Sequence, residues 1–447
     1  MLRRLVLCGS PQALGRLGGA ALSADPVPEP LEGFASVRTP SGARWVRISI
    51  PPPPPVGLEV RCACCPDPLP TPLLPFRDAG VWGSEDCEVA GQQEGVHGSA
   101  FPACPLPAPW ASEEDFRGQA AFRRIGLVEA ERRMRLPVGE GVSVVILDSG
   151  PEGLPDFDPH LVDLCIPWPL PAKASGGGEG IRSLHGVMIA GIIRRIAPRA
   201  SIVLVRVLGP GLLGRLSDLA SALLWVERLR RSSFPNPAGG EPLIRPLLVF
   251  CLGLGLQRPT GEELHGALLA AVDEVARPGA VLCCAAGHRA LGGPPHLLEP
   301  ALYGAVGLTP ACWAQVVPVA ATSSAVPDRF APASREAPFA APGADLLLDC
   351  GLEAPGWGRY VLWGGTSFSA AMAAGIAALH LSAGVGPGEV KRRLWEDAAR
   401  PRLWDGAHLL RVGRPYGSGP GHKSRPQAHA ACSSASARCT ASSGAST

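Results

Sequence analysis

From residue 118 onward the chain alternates continuous apolar runs with segments whose apolar residues recur every three or four positions. The runs at 142–147, 201–207, 247–252, 280–285 and 316–321 are rich in Val, Leu, Ile, Ala and Cys. A strand covered on both faces reads this way, because strict alternation appears only where one face meets water. Between them, 119–134, 184–196, 216–229 and 262–276 carry helical periodicity, with Leu264, Leu268, Ala271 and Val275 on one stripe of the last. Repeated strand-helix-strand units predict an α/β fold: a mostly parallel sheet flanked by helices, with ligand sites at the carboxyl ends of its strands. A further segment, 366–381, is dense in Ala and apolar nearly all round, which predicts a buried helix.

The ends of the chain read differently. Residues 1–117 are Pro-rich and irregular, with one island of alternation at 43–50 that runs into Pro51 to Pro55. The neighbouring 58–62 segment is the expected partner strand. After Gly413 the chain turns to Gly, Ser, Ala and Pro, and 414–447 reads as a disordered tail. The expected organisation is therefore an N-terminal extension of unknown role at 1–117, a main domain at 118–413 and the tail.

Composition narrows the partners. Lys and Arg (41) nearly balance Asp and Glu (39), so no basic field points to nucleic acid. No run reaches the roughly 18–20 apolar residues of a membrane span. Met1 to Leu7 begins with two arginines, but Gly9, Ser10 and Pro11 interrupt it before a secretory apolar core develops. Of the 14 cysteines, Cys251, Cys283 and Cys284 lie inside apolar runs, where they act as small hydrophobes. A reducing, cytoplasmic setting is the expectation. Cys62, Cys64, Cys65, Cys87, Cys104 and His97 raise a zinc reading, but paired C-x₂₋₄-C spacing does not occur twice, and unligated thiols are the favoured alternative.

Three short blocks carry candidate chemistry: Val144-Val145-Ile146-Leu147-Asp148-Ser149-Gly150, then His185-Gly186, then Gly365-Thr366-Ser367 at a helix start. Taken singly, each has an ordinary structural reading. Asp-Ser-Gly opens turns, a lone His at a helix start is a cap or surface group, and Thr366 or Ser367 can cap its helix. Asp156 and Asp158 lie near the first block, but neither directly ends the apolar strand. In this order the blocks resemble the subtilisin-like (subtilase, S8-type) serine peptidases over roughly residues 118–400. The resemblance implies the three-layer subtilisin-like fold and a serine endopeptidase. Ser367 would be its nucleophile, His185 the general base and Asp148 the carboxylate that orients the base. Ala190-Gly191, following His185-Gly186, keeps the family's spacing, whereas Met188, Ala371 and Met372 depart from its usual residues.

The same resemblance assigns Leu252, Gly253, Leu254 and Gly255, together with Ala285, Ala286 and Gly287, to the walls of the primary specificity pocket. A peptide or protein substrate would add there as a strand. After Gly287 the family has Asn, whose amide donates to the oxyanion; this chain has His288. Loss of such a donor costs about 10²–10³ in turnover in subtilisin. A subtilase-fold protein with impaired catalysis, acting as a peptide-binding or accessory module, is accordingly the alternative. The N-terminal position of 1–117 suits a family propeptide. No cofactor is implied; calcium occurs in many family members, but no ligand loop here is distinctive.

Overall fold

The five apolar runs become five consecutive strands of a sheet that has ten strands among the described residues, in the order Val316–Ser323, Val281–Ala285, Leu247–Leu252, Val142–Ser149 and Ser201–Leu208, all parallel. Phe339–Ala344 and His408–Leu409 extend it in parallel at one side, and Leu164–Pro167 does so at the other. The computed structural model describes residues 2–17, 24–39, 42–50, 52–53, 57–66, 81–85, 88–90, 105–133, 136–150, 158–169, 184–200, 211–236, 241–256, 265–287, 297–323, 337–354, 358–398 and 407–413, with 201–209 completing the set.

Period-two geometry explains the unbroken apolar runs. Val142, Val144 and Ile146 enter the core on one face of the sheet, while Val145 and Leu147 enter the core on the other. The neighbouring strand repeats the pattern, with Ile202 and Leu204 on the first face and Val203 and Val205 on the second. Helices His185–Ile196 and Thr366–Ser382 cover the first face. Leu216–Arg231 and Gly266–Ala276 cover the second, where Trp168 and Trp225 meet edge to face at 5.9 Å. The two helices on the first face pack directly together at Gly375. A Cβ there would lie 2.8 Å from the Cβ of Ile196, so only glycine permits this approach.

The N-terminal residues complete this architecture. Glu32–Thr39 pairs antiparallel with Leu164–Pro167, and Gly42–Ser49 pairs with Glu32–Thr39, so the sheet's edge comes from the region read as an extension. A separate antiparallel sheet, ordered Ala24–Pro26, Glu59–Pro66, Leu2–Gly9 and Val81–Glu85, lies over the two helices of the second face. Its Val6, Cys8 and Val60 join that face's core, and Arg228 of the covering helix pairs with Glu29. The stretch from Met1 to Pro415 is one compact unit, with no division at 117.

Several sequence expectations shift. The 58–62 segment belongs to Glu59–Pro66 in the smaller sheet and does not pair with 43–50. The single helix expected at 119–134 is two, Ala120–Arg124 and Leu127–Arg133, broken at Gly126, whose φ of +77° lies outside the helical region. A preceding helix, Glu113–Gly118, starts at a capping box between Ser112 and Asp115. The helix expected from 262 is described from Gly266. The 414–447 tail lies outside the described residues.

Candidate active site

Asp148 sits at the carboxyl end of the central strand Val142–Ser149. Its even position in the period-two pattern aims it at the face covered by the histidine and serine helices. The side chain is fully buried, and its Oδ1 accepts from the Ser149 amide at 2.7 Å and the Ser149 hydroxyl at 3.2 Å. The same oxygen lies 2.8 Å from His185 Nδ1. A carboxylate at that distance fixes the proton on Nδ1 and leaves Nε2 with its lone pair, the tautomer a general base requires. Nε2 is buried and makes no hydrogen bond among the described residues.

His185 opens its helix directly above this strand end, and Gly186 makes the approach possible. A Cβ on Gly186 would clash with the Ser149 carbonyl and would lie 2.8 Å from Leu204 Cδ1. The His-Gly pair is therefore a packing requirement as well as a chemical one. Trp363 and Phe368 cage the imidazole, with ring centroids 5.5 Å and 5.2 Å away. Neither was singled out in the sequence. Phe368 adjoins Ser367, but its contact with His185 follows only from the crossing of the two helices.

Ser367 is the second residue of the Thr366–Ser382 helix. Gly365 precedes it in extended conformation and donates its N–H to the Gly343 carbonyl at 2.6 Å, pinning the helix start to strand Phe339–Ala344. The Ser367 hydroxyl is buried and donates to the Gly253 carbonyl at 2.7 Å. Gly253 stands between the acidic and hydroxyl groups: a Cβ there would lie 3.0 Å from Asp148 Oδ2 and 3.2 Å from Ser367 Cβ. The structure thus gathers Asp148, His185, Gly253 and Ser367 at one place on the sheet.

The residues that the resemblance assigns to the pocket walls follow from strand order. Leu252, Gly253 and Leu254 leave the strand beside the aspartate strand, and Ala285, Ala286 and Gly287 leave the next one. Gly287 donates its N–H to Thr366 Oγ1 at 3.2 Å, tying this wall to the serine helix. His288 and Asp156 lie outside the described residues. Asp158 is engaged elsewhere, accepting from Arg359 at 2.8 Å.

Nearby thiols do not compete as nucleophiles. Burial, followed by the charges of Cys283 and Asp148, pushes the Cys251 thiol well up, and burial does the same for Cys283. Such thiols stay protonated and inert at neutral pH. Among the described residues no cluster of three or more His, Cys, Asp or Glu is placed to hold a metal. His97, Cys87 and Cys104 lie outside those residues. No single helix among them is long and apolar enough to cross a membrane.

The model of the subtilase family, Peptidase_S8, matches residues 139–419. Among solved structures, a cold adapted subtilisin-like serine proteinase is similar at 23% identity with a TM-score of 0.42, covering 62% of this chain and 90% of its own. No curated protein matches the chain.

Proposed function

The chain belongs to the subtilase family, and from that premise we propose that it is a serine endopeptidase working through an acyl-enzyme on Ser367. The observation that carries this reading is the buried 2.8 Å pair of His185 Nδ1 and Asp148 Oδ1 beside the Ser367 helix start. A serine hydroxyl needs a base to be nucleophilic at neutral pH. On attack, the Ser367 hydroxyl leaves the Gly253 carbonyl, gives its proton to His185 Nε2 and bonds to the scissile carbonyl carbon. Asp148 steadies the imidazolium that forms. The tetrahedral oxyanion takes hydrogen bonds from the Ser367 backbone N–H at the helix start and from the His288 ring. Collapse expels the amine with the proton from His185, and water repeats the sequence to free the acid.

The peptide substrate would run along Leu252–Leu254 and Ala285–Gly287 as an added strand. Hydrolysis of an unfolded protein by the full chain, abolished in Ser367→Ala, tests the proposal; equal hydrolysis by both proteins would remove Ser367 from the mechanism. A second reading, a peptide-binding protein with impaired catalysis, is favoured by the engagement of Ser367 Oγ with Gly253 and the burial of the whole triad. Peptide binding by folded wild type without turnover would select it.

A further inference from the structure

The two glycine-bearing segments assigned to the specificity pocket do not face an empty slot. We propose that Leu298 closes this pocket and restricts the substrate residue on the acyl side of the scissile bond to small side chains such as Gly, Ala or Ser. The inference rests on the endopeptidase reading and names its substrate class.

Leu298 reaches both walls at once. A Cβ built on Gly255 would lie 2.7 Å from Leu298 Cβ and 2.8 Å from its Cδ1. A Cβ on Gly287 would lie 2.7 Å from the same Cδ1 and would also clash with Cγ. The isobutyl group therefore occupies the volume that opens between the two backbones, where a deep pocket would need free space. Leu298 itself is half-buried.

Its position is fixed from both sides. The Leu298 N–H donates to the Ala286 carbonyl at 3.2 Å. The next residue, Glu299, exchanges two backbone hydrogen bonds with Leu256, at 3.0 Å and 3.2 Å. The Glu299 carboxylate is fully buried, lies 3.1 Å from His265 Nδ1, and accepts from the His265 amide at 3.2 Å and from the Tyr303 hydroxyl. A side chain on backbone held this firmly excludes a bulky competitor, because displacing it breaks several buried hydrogen bonds. A methylene added to or removed from an apolar pocket changes discrimination by about 10- to 200-fold.

The test uses the full chain and matched peptides that differ only at the acyl-side residue, Ala, Leu or Phe. Wild type is expected to favour Ala over Phe in kcat/KM by about 10-fold or more, and Leu298→Ala to shrink that ratio by about 10-fold or more. Leu298→Phe should lower even the Ala substrate. Equal use of Ala and Phe by wild type, or an unchanged ratio in Leu298→Ala, overturns the proposal. Should Leu298→Ala not fold, Leu298→Val reads the same trend at smaller size. Binding of the same peptides to Ser367→Ala, with and without the Leu298 change, separates the pocket from catalysis. Ala-selective binding relaxed by the second substitution supports the pocket even where wild type cleaves nothing, and that result sinks only the endopeptidase reading. Unselective or absent binding overturns the pocket.

Discussion

The centre of the sheet and its N-terminal edge are built on opposite principles. The central strand Val142–Ser149 is buried at every position and is flanked by parallel neighbours and by helices on both faces. The edge strand Gly42–Ser49 is mostly exposed or half-exposed, pairs among the described residues with the antiparallel strand before it alone, and carries the exposed Arg47–Glu32 ion pair, worth about 0–1 kcal/mol. Its contribution lies in a few anchors: Ala35, Ile48 and Ile50 are buried, as is Val6 of the overlying sheet. Chemistry that depends on fixed distances sits at the centre, where packing holds each group from several sides. The edge seals that centre.

Removing the edge tests this contrast with the largest expected effect. Among the described residues of 1–50, Val6, Leu7, Leu14, Val27, Ile48 and Ile50 are buried, and at about 1.5–3 kcal/mol each they rival the roughly 5–15 kcal/mol that holds a typical domain together. Deletion of residues 1–50 is therefore expected to abolish cooperative folding, read by circular dichroism and a melting scan. A soluble truncated chain with an unchanged melting temperature would show the edge to be dispensable.

The same contrast explains what was legible beforehand. The five central strands and the 366–381 helix were readable because burial on both faces, or all round, writes itself into consecutive residues. Asp148 was readable because a polar residue ending such a run stands out. The pairing of Glu32–Thr39 with Leu164–Pro167 is not, since it joins segments far apart in sequence that share no periodic signal. Leu298 carries no sequence signal for a related reason. Nothing in its local sequence marks it; its role arises from two glycines in other segments that leave room for it.

Substitutions at the centre should spare the fold and strike the chemistry. Asp148→Asn keeps the shape of the side chain but disturbs the His185 tautomer, with an expected loss of about 10⁴ in turnover at an unchanged melting temperature, as for the same change in a serine-protease triad. A wild-type rate in that variant would place the orienting role elsewhere.

Stability should respond to acid through a group away from the site. Burial, aided by Arg393, pushes the His380 imidazole down to about 4, and its Nε2 lies 3.6 Å from Asp397. The unfolded chain, with His near 6.5, binds this proton first, so stability is full above about pH 6.5 and declines as pH falls towards 4, by at most about 3 kcal/mol. His380→Gln should flatten that limb of a denaturant midpoint against pH; an unaltered limb would exclude His380 as its source. A smaller effect is expected at the oxyanion: His288→Ala should lower kcat by roughly 10-fold with little change in KM. An unchanged kcat would mean that position 288 does not reach the oxyanion.

If His185 activates Ser367 as a nucleophile, covalent labelling of the serine reports it. The full-length protein is incubated with a fluorophosphonate and the adduct is mapped by peptide mass spectrometry. The expected result is one adduct on Ser367, absent in Ser367→Ala and strongly slowed in His185→Ala. Folded wild type that stays unlabelled, or labelling of Ser367 at the same rate without His185, would contradict that activation.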